Sequence, residues 1–346
     1  MTVISSVRSA RCAWQLLRDA GAVTFAGVRE AVETLPQEIR HPVGVHFGWW
    51  DEAGDPATGN SGKAVRPALA LLACEAVGGE QAAGAPAAVA VELVHNASLL
   101  HDDIIDGDRM RRGRPAVWAA LGVPAGILAG DALFFLACQV LLAAPAPLGT
   151  QGVSQLTAAV QALIGGEYVD TLFEKRSVVS VKECAVMTAG KTGALMAAAC
   201  GLGALAGGAA EARVEHLRAF GAHLGAAFQL VDDLLGIWGD PRHTGKPVGS
   251  DLVFRKKSLP VAYACAADNA AGRELVRLYG RHDRLTAEES ERAAHLVEKA
   301  GGRAWATSEA RRHVRTAVER LSAAHPVPVV AAELTALAQL ITERQC

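Results

Sequence analysis

Two short segments set paired aspartates against strongly apolar sequence: LLHDDIID at Leu99–Asp106 and QLVDDLLG at Gln229–Gly236, 130 residues apart. If each lies on a helix, Asp102 and Asp106 stand one above the other at i, i+4, with Asp103 beside them. Clustered carboxylates repel one another unless cations neutralise them. Hard oxygen ligands in this arrangement suit Mg²⁺, which completes its shell with waters and phosphate oxygens. A solvated acidic helix edge is the commoner fate of an isolated acidic pair. Here VELVHNASLL and LGAAFQLV precede the two pairs and withdraw them from bulk water, where unpaired acids are costly, so a metal site is the better reading. Two facing helices could present these carboxylates to one cavity.

Basic residues follow closely. DRMRRGRPAVW brings Arg111, Arg112 and Arg114 within a few residues of the first cluster, and guanidinium forks bind phosphate bidentately. Magnesium with arginine reads as a diphosphate site, although surface ion pairs would serve as well for Arg109 and Arg114. SGKAVRP adds Lys63 and Arg66 beside a glycine-rich turn, and His95 lies on the helix leading into the aspartates. Lys191, in AGKTGAL, and Lys246 and Lys256, after the second pair, are further candidate phosphate ligands.

The elements that must position these groups read as helices. Apolar residues recur at three- and four-residue spacing through Val65–Val77, Ala87–Leu100 and Phe220–Leu235, and sustained apolar–polar alternation bounded by hairpin turns is absent. The expected fold is all-α, a many-helix bundle with the site between helices. Breaks at 54–62, 78–86, 145–149, 207–210 and 240–249 punctuate helices rather than separate domains. The 346 residues, 51% of them apolar, are expected to form one large domain at 26–346, with 1–25 a loosely attached leader. The apolar run Ala116–Gly149 carries a single charge, Asp131, but its prolines and glycines fit a buried helix pair better than a membrane span. A net charge of −2 provides no basic field for nucleic acid or an anionic membrane surface. Seven scattered cysteines without a CxxC pair, and no signal-peptide-like start, point to a reducing cytoplasm.

Taken together these residues resemble the trans-prenyl diphosphate synthases, from about Val28 to Arg344. The elements match in order: SGKAVRP, HNASLLHDD, the aspartate-rich Asp102, Asp103 and Asp106, RRG at Arg111–Gly113, the GD aspartate Asp131, KT at Lys191–Thr192, and FQ..DD at Phe228–Asp233. A narrower likeness, through HFGWWD, DDLLGIWGDP, TGKPVGSDL and RKKSLPV, is to actinobacterial members described as polyprenyl transferase cargo of encapsulin shells. That subgroup carries a long N-terminal loading extension and this chain starts close to the catalytic region, which argues against encapsulation. Three positions depart from the family pattern. Gly236 replaces the last aspartate of the second motif, with Asp240 two turns on as a partial substitute. Glu167 replaces the glutamine of a GQ..D element that reads Gly166–Asp170, and Ala64 stands where many relatives have a second basic residue.

The resemblance implies an isoprenoid-synthase bundle with a central active-site cavity, a homodimer, and Mg²⁺, three ions being expected per site. Asp102, Asp106 and Asp232 would hold the metal, with Asp103, Asp233 and Lys191 completing the catalytic set. Arg111, Lys191 and Lys256 would assist departure of the allylic diphosphate, while Lys63, Arg66, His95 and Arg112 would hold isopentenyl diphosphate. Thr192, Gln229 and Lys246 would add substrate contacts. Ala97 and Ser98, five and four residues before Asp102, would border the growing tail, and their small size suggests a C20 product or longer. A Gly236→Asp change is expected to be harmless if the site merely lost a dispensable ligand. Competing readings are a terpene cyclase on the same fold, a relaxed P-loop at AVMTAGKT, and a non-catalytic partner subunit, suggested by Gly236 and Glu167.

Overall fold

The structure, a computed structural model, describes residues 10–59, 62–240, 248–281 and 283–342. The first helices are α1 (Ala13–Val32), α2 (Gln37–Phe47), α3 (Val65–Ala76) and α4 (Gln81–Ile105). A two-stranded hairpin, β1 (Met110–Arg111) and β2 (Arg114–Pro115), leads to α5 (Val117–Leu121), α6 (Val123–Leu142) and α7 (Val153–Glu174). Then come α8 (Val181–Thr188), a π-helical turn Ala189–Gly193, α9 (Ala194–Ala206) and α10 (Glu211–Trp238). The remainder is α11 (Ser250–Val253), α12 (Leu259–Ala266), α13 (Ala270–Tyr279), α14 (Ala287–Lys299), α15 (Gly302–Ala323) and α16 (Pro328–Thr342).

The chain divides into two compact units. One comprises Met1–Ala158, Ala198–Arg218 and Ala324–Leu334, the other Ala159–Ala197, Ala219–Ala323 and Thr335–Cys346. In the first unit α4 is the central helix, packed on α1, α3 and α6. Its stretch from Ala87 to Val94 is buried on every side, so apolar residues surround the helix there rather than form a stripe, Glu92 excepted. It begins at Gln81, so Pro86, read from sequence as part of a break, lies within the helix. Of the supposed leader, residues 13–25 belong to α1 and bury Leu16, Leu17, Ala20 and Thr24. Arg11 is held by Glu75 at 3.0 Å and by Glu333, whose side chain is wholly buried, at 2.9 Å.

In the second unit Ile237, Leu252, Val261, Leu275, Tyr279 and Val297 form one apolar cluster. Phe173, Leu230, Leu234, Leu259 and Ala306 form another, so the last turns of α10 are anchored on both. The segments Gln81–Ile105, Val123–Leu142 and Val181–Ala206 are long and apolar enough to cross a membrane by length and composition. The first is mostly packed inside its unit. The expectation of a buried helix pair at 116–149 holds for only one side of α6, which leaves Ile127, Leu128, Phe135 and Leu142 exposed.

Candidate active site

The first aspartates sit where α4 ends. Asp102 and Asp103 lie in its last turn and Asp106 is the C-terminal cap, its N–H donating to the Asp102 carbonyl at 2.8 Å. Asp102 is half-buried and Asp106 exposed, whereas Asp103 is 1% exposed. Arg111 reaches Asp103 from the hairpin, its Nε donating to Oδ1 at 2.7 Å and its Nη2 to the same oxygen. Burial pushes the Asp103 carboxyl up and Arg111 pulls it back down. The hairpin turn makes this reach possible: Arg112 and Gly113, at φ 52° and 77°, form a two-residue turn between paired Arg111 and Arg114. The sequence alone did not show this hairpin, because two-residue strands carry no alternation.

Arg112 turns toward a second group of polar side chains. The half-buried His95 is held well below the ordinary histidine range by burial first, then by the positive charges of Arg66 and Arg112. Glu92 is pushed up by burial and pulled down by Asn96, Arg66 and Arg112. Asn96 donates to Glu92 Oε1 at 2.8 Å and pairs through Oδ1 with His46 Nε2 at 3.0 Å. Arg66 and Arg112 lie near enough to His95 and Glu92 for their charges to act on both, and His46, Glu92 and Asn96 form a hydrogen-bonded layer that sequence reading missed. An alternation of polar residues within VELVHN was the available signal. Arg112 Nη1 is buried and has no hydrogen-bond partner among the described residues. Exposed Lys63 precedes α3 by two residues. Arg114 instead donates to the carbonyls of Val45 and His46.

The second unit carries the other motifs. Lys191, in the π-helical turn, bonds Glu167 and Asp170, each at 2.8 Å. Burial alone would lower its pKa, but the two carboxylates outweigh it and raise it. Glycine at 166 and 190 permits the approach: a Cβ at Gly166 would lie 2.4 Å from the Lys191 backbone nitrogen, and one at Gly190 2.7 Å from the Ala162 carbonyl. The departure at Glu167 therefore contributes a second anionic partner to Lys191. Thr192 donates to Gln229 Oε1 at 2.7 Å, and Gln229 donates to Asp233 Oδ1 at 2.8 Å. Asp233 Oδ2 accepts from the Leu259 N–H at 2.9 Å, so this buried carboxylate caps α12. Its pKa is pushed up to about 6, by burial first and against the pull of Lys256. The half-buried Asp232 is thus the more accessible member of its pair. Asp240 lies beyond the end of α10 and does not continue its face. Lys246 lies outside the described residues.

Among the described residues no three histidine, cysteine, aspartate or glutamate groups are placed to bind an ion alone. Magnesium is usually bound by one or two carboxylates together with substrate phosphates. Asp102 and Asp106 stand one turn apart at the end of α4 in the first unit, and Asp232 lies near the end of α10 in the second. A P-loop is excluded, since α8 and a π-helical turn, rather than a strand and glycine-rich loop, precede Thr192.

Comparison with known proteins settles the family. The polyprenyl synthetase family model matches residues 48–297. The chain is a trans-prenyl diphosphate synthase of the polyprenyl synthetase family. A (2E,6E)-farnesyl diphosphate synthase of Mycobacterium tuberculosis is 47% identical over 321 residues, covering 92% of this chain and 89% of that protein. A geranylgeranyl diphosphate synthase of the same organism is 42% identical over 332 residues, covering 96% and 94%. The crystal structure of a polyprenyl synthetase from Streptomyces coelicolor A3(2) superposes on this synthase with a TM-score of 0.90 at 46% identity, covering 94% of this chain and 98% of the other.

Proposed function

We propose that this synthase condenses an allylic diphosphate with isopentenyl diphosphate to give a trans-prenyl diphosphate of C20 or longer. The observation that supports condensation, rather than cyclisation of a single substrate, is the buried Arg112 nitrogen that has no hydrogen-bond partner among the described residues, near Arg66 and His95. A buried guanidinium nitrogen calls for an acceptor, and a diphosphate oxygen is one. A cyclase has no second diphosphate to place there.

Lys63, Arg66, His95 and Arg112 hold isopentenyl diphosphate. Its double bond then attacks the allylic carbon as the carbon–oxygen bond ionises, and proton loss completes the cycle. Asp102, Asp106 and Asp232 are the residues that would hold Mg²⁺, which when bound supplies Lewis-acid stabilisation of the leaving diphosphate. Lys191 and Lys256 add positive charge near that group, while Asp103 and Asp233 act through what they hold, Arg111 and the start of α12. The apolar helices exclude water that would quench the cation. The enzyme works as a homodimer in the cytoplasm.

The test is incubation of the pure protein with Mg²⁺, isopentenyl diphosphate and, in turn, dimethylallyl, geranyl and farnesyl diphosphate, with products identified by chromatography. Consumption of isopentenyl diphosphate into longer prenyl diphosphates is expected. Ionisation of an allylic substrate with no isopentenyl diphosphate consumed would replace this reading with a cyclase, and no turnover with a non-catalytic subunit.

A further inference from the structure

A groove of about 700 Å³ runs along α15 beside the end of α14, and none of the residues placed in the condensation site lines it. Three arginines line it, Arg303, Arg311 and Arg315, against a single carboxylate, Glu298. That carboxylate is already neutralised, since Arg303 Nη1 stands 3.1 Å from Glu298 Oε1. The Arg303 guanidinium also lies over the Trp238 ring, 5.0 Å from its centroid, and is held in place at one end of the groove. On the same helix Arg312, which does not line the groove, is paired with Glu309 at 2.7 Å. Arg311 and Arg315 are exposed and make no ion pair with a described residue. They stand one helical turn apart, where like charges repel. Ser308, three residues before Arg311, also lines the groove, and its exposed hydroxyl donates to no described residue.

Exposed arginines are usually just solvated. These two differ in standing within a concavity, beside a third arginine that is fixed and with no free carboxylate to answer them. Along the helix axis Arg311 and Arg315 are about 6 Å apart, a spacing at which two guanidinium forks grip adjacent phosphate groups at once. Ala304 is the one apolar residue of the lining, so an apolar tail finds no lodging there and an anionic group alone is recognised. A recessed site also suits a small soluble anion better than a flat lipid surface.

We propose that this groove is an accessory anion site that binds a soluble diphosphate through Arg311, Arg315 and the Ser308 hydroxyl. It stands whether or not the condensation proposed above is correct.

The experiment titrates the full chain calorimetrically with inorganic pyrophosphate, in EDTA so that no metal assists binding, and at low ionic strength, where exposed charges are least screened. The unaltered chain should bind one pyrophosphate more per chain than the double variant Arg311→Gln with Arg315→Gln. Either substitution alone should weaken that site by about 10-fold or more, since each removes a charged hydrogen-bond donor. Ser308→Asp keeps both arginines but sets a carboxylate three residues before Arg311, and should weaken the site likewise. Arg320→Gln, which removes an exposed arginine of the same helix outside the groove, should change nothing. Equal stoichiometry in the unaltered chain and the double variant would overturn the proposal, and so would equal weakening by Arg320→Gln, which would mean that net charge alone attracts the anion. Helicity and thermal melting check the fold, and should the double variant not fold, Ser308→Asp decides. Sedimentation with vesicles of phosphatidylcholine and phosphatidylglycerol is the last arm: vesicle binding that needs Arg311 and Arg315, without a pyrophosphate site, would overturn the soluble ligand in favour of a lipid surface.

Discussion

Asp103 is 1% exposed and its carboxylate accepts from Arg111; without that partner it would stand alone inside the first unit. Breaking a buried pair by removing one member typically costs 3–5 kcal/mol, whereas removing both costs much less. Arg111→Ala should therefore lower stability by about 3 kcal/mol in denaturant titration, and Asp103→Ala added to it should recover most of that loss. No recovery would mean that Arg111 contributes through packing or substrate alone. From sequence, Arg111 reads as a phosphate ligand, because its spacing from the aspartates is visible and the hairpin that turns it back on Asp103 is not. The stacking of Asp102 on Asp106, by contrast, follows from helical spacing alone. A second consequence concerns His46, held down to about 3 by burial and nearby arginines. Its folded pKa is depressed, so its stabilisation is whole above the unfolded value of about 6.5 and is lost as pH falls toward 3, at about 1.4 kcal/mol per pH unit. His46→Gln, which can still bond Asn96, should melt with a smaller difference between pH 7 and pH 5 than the unaltered chain.

At the scale of elements, α4 separates two residues that sequence places together as the border of the growing tail. Ser98 precedes Asp102 by one turn on the same face, its hydroxyl donating to the His95 carbonyl at 2.8 Å. Ala97 is about 140° around the helix from Asp102, at about 100° per residue. It shares a stripe with His101 and Ile104, which press on α6 where a Cβ would lie 2.3 Å from His101 at Gly130 and 2.8 Å from Ile104 at Gly126. Ala97 is fully buried there. Ser98→Phe should therefore shift products to shorter chains, read by chromatography, with catalysis otherwise kept. Ala97→Phe must first part α4 from α6 and should cost about 1–3 kcal/mol of stability. An unchanged product distribution from folded, active Ser98→Phe would take the tail off this face. The helices were legible because their apolar periodicity is long; which stripe faces which neighbour was not, since that is set by glycines on a different helix.

For the molecule as a whole, α6 leaves a line of large apolar side chains uncovered. Gly126, Ala129, Leu133 and Ala137 are buried, while Leu128, Phe135 and Leu142, each seven residues from the next, are exposed by 53%, 73% and 63%. Seven-residue spacing keeps all three on one line of the helix, the pattern of a seam between helices. A second copy of the chain offers the same line, and an interface with twofold symmetry brings a patch against itself, so one substitution counts twice. The apolar length of α6 would also suit a bilayer, but its other stripe is already packed on α4 and Asp131 sits on the exposed side at mid-helix. The expected assembly is a homodimer joined along this line. Phe135→Glu would set two carboxylates into the apolar seam, and sedimentation equilibrium at micromolar protein should then give half the mass of the unaltered chain, with helicity and thermal melting of the protomer otherwise similar. An unaltered mass in Phe135→Glu, confirmed with Leu128→Glu, would mean that α6 does not join the copies.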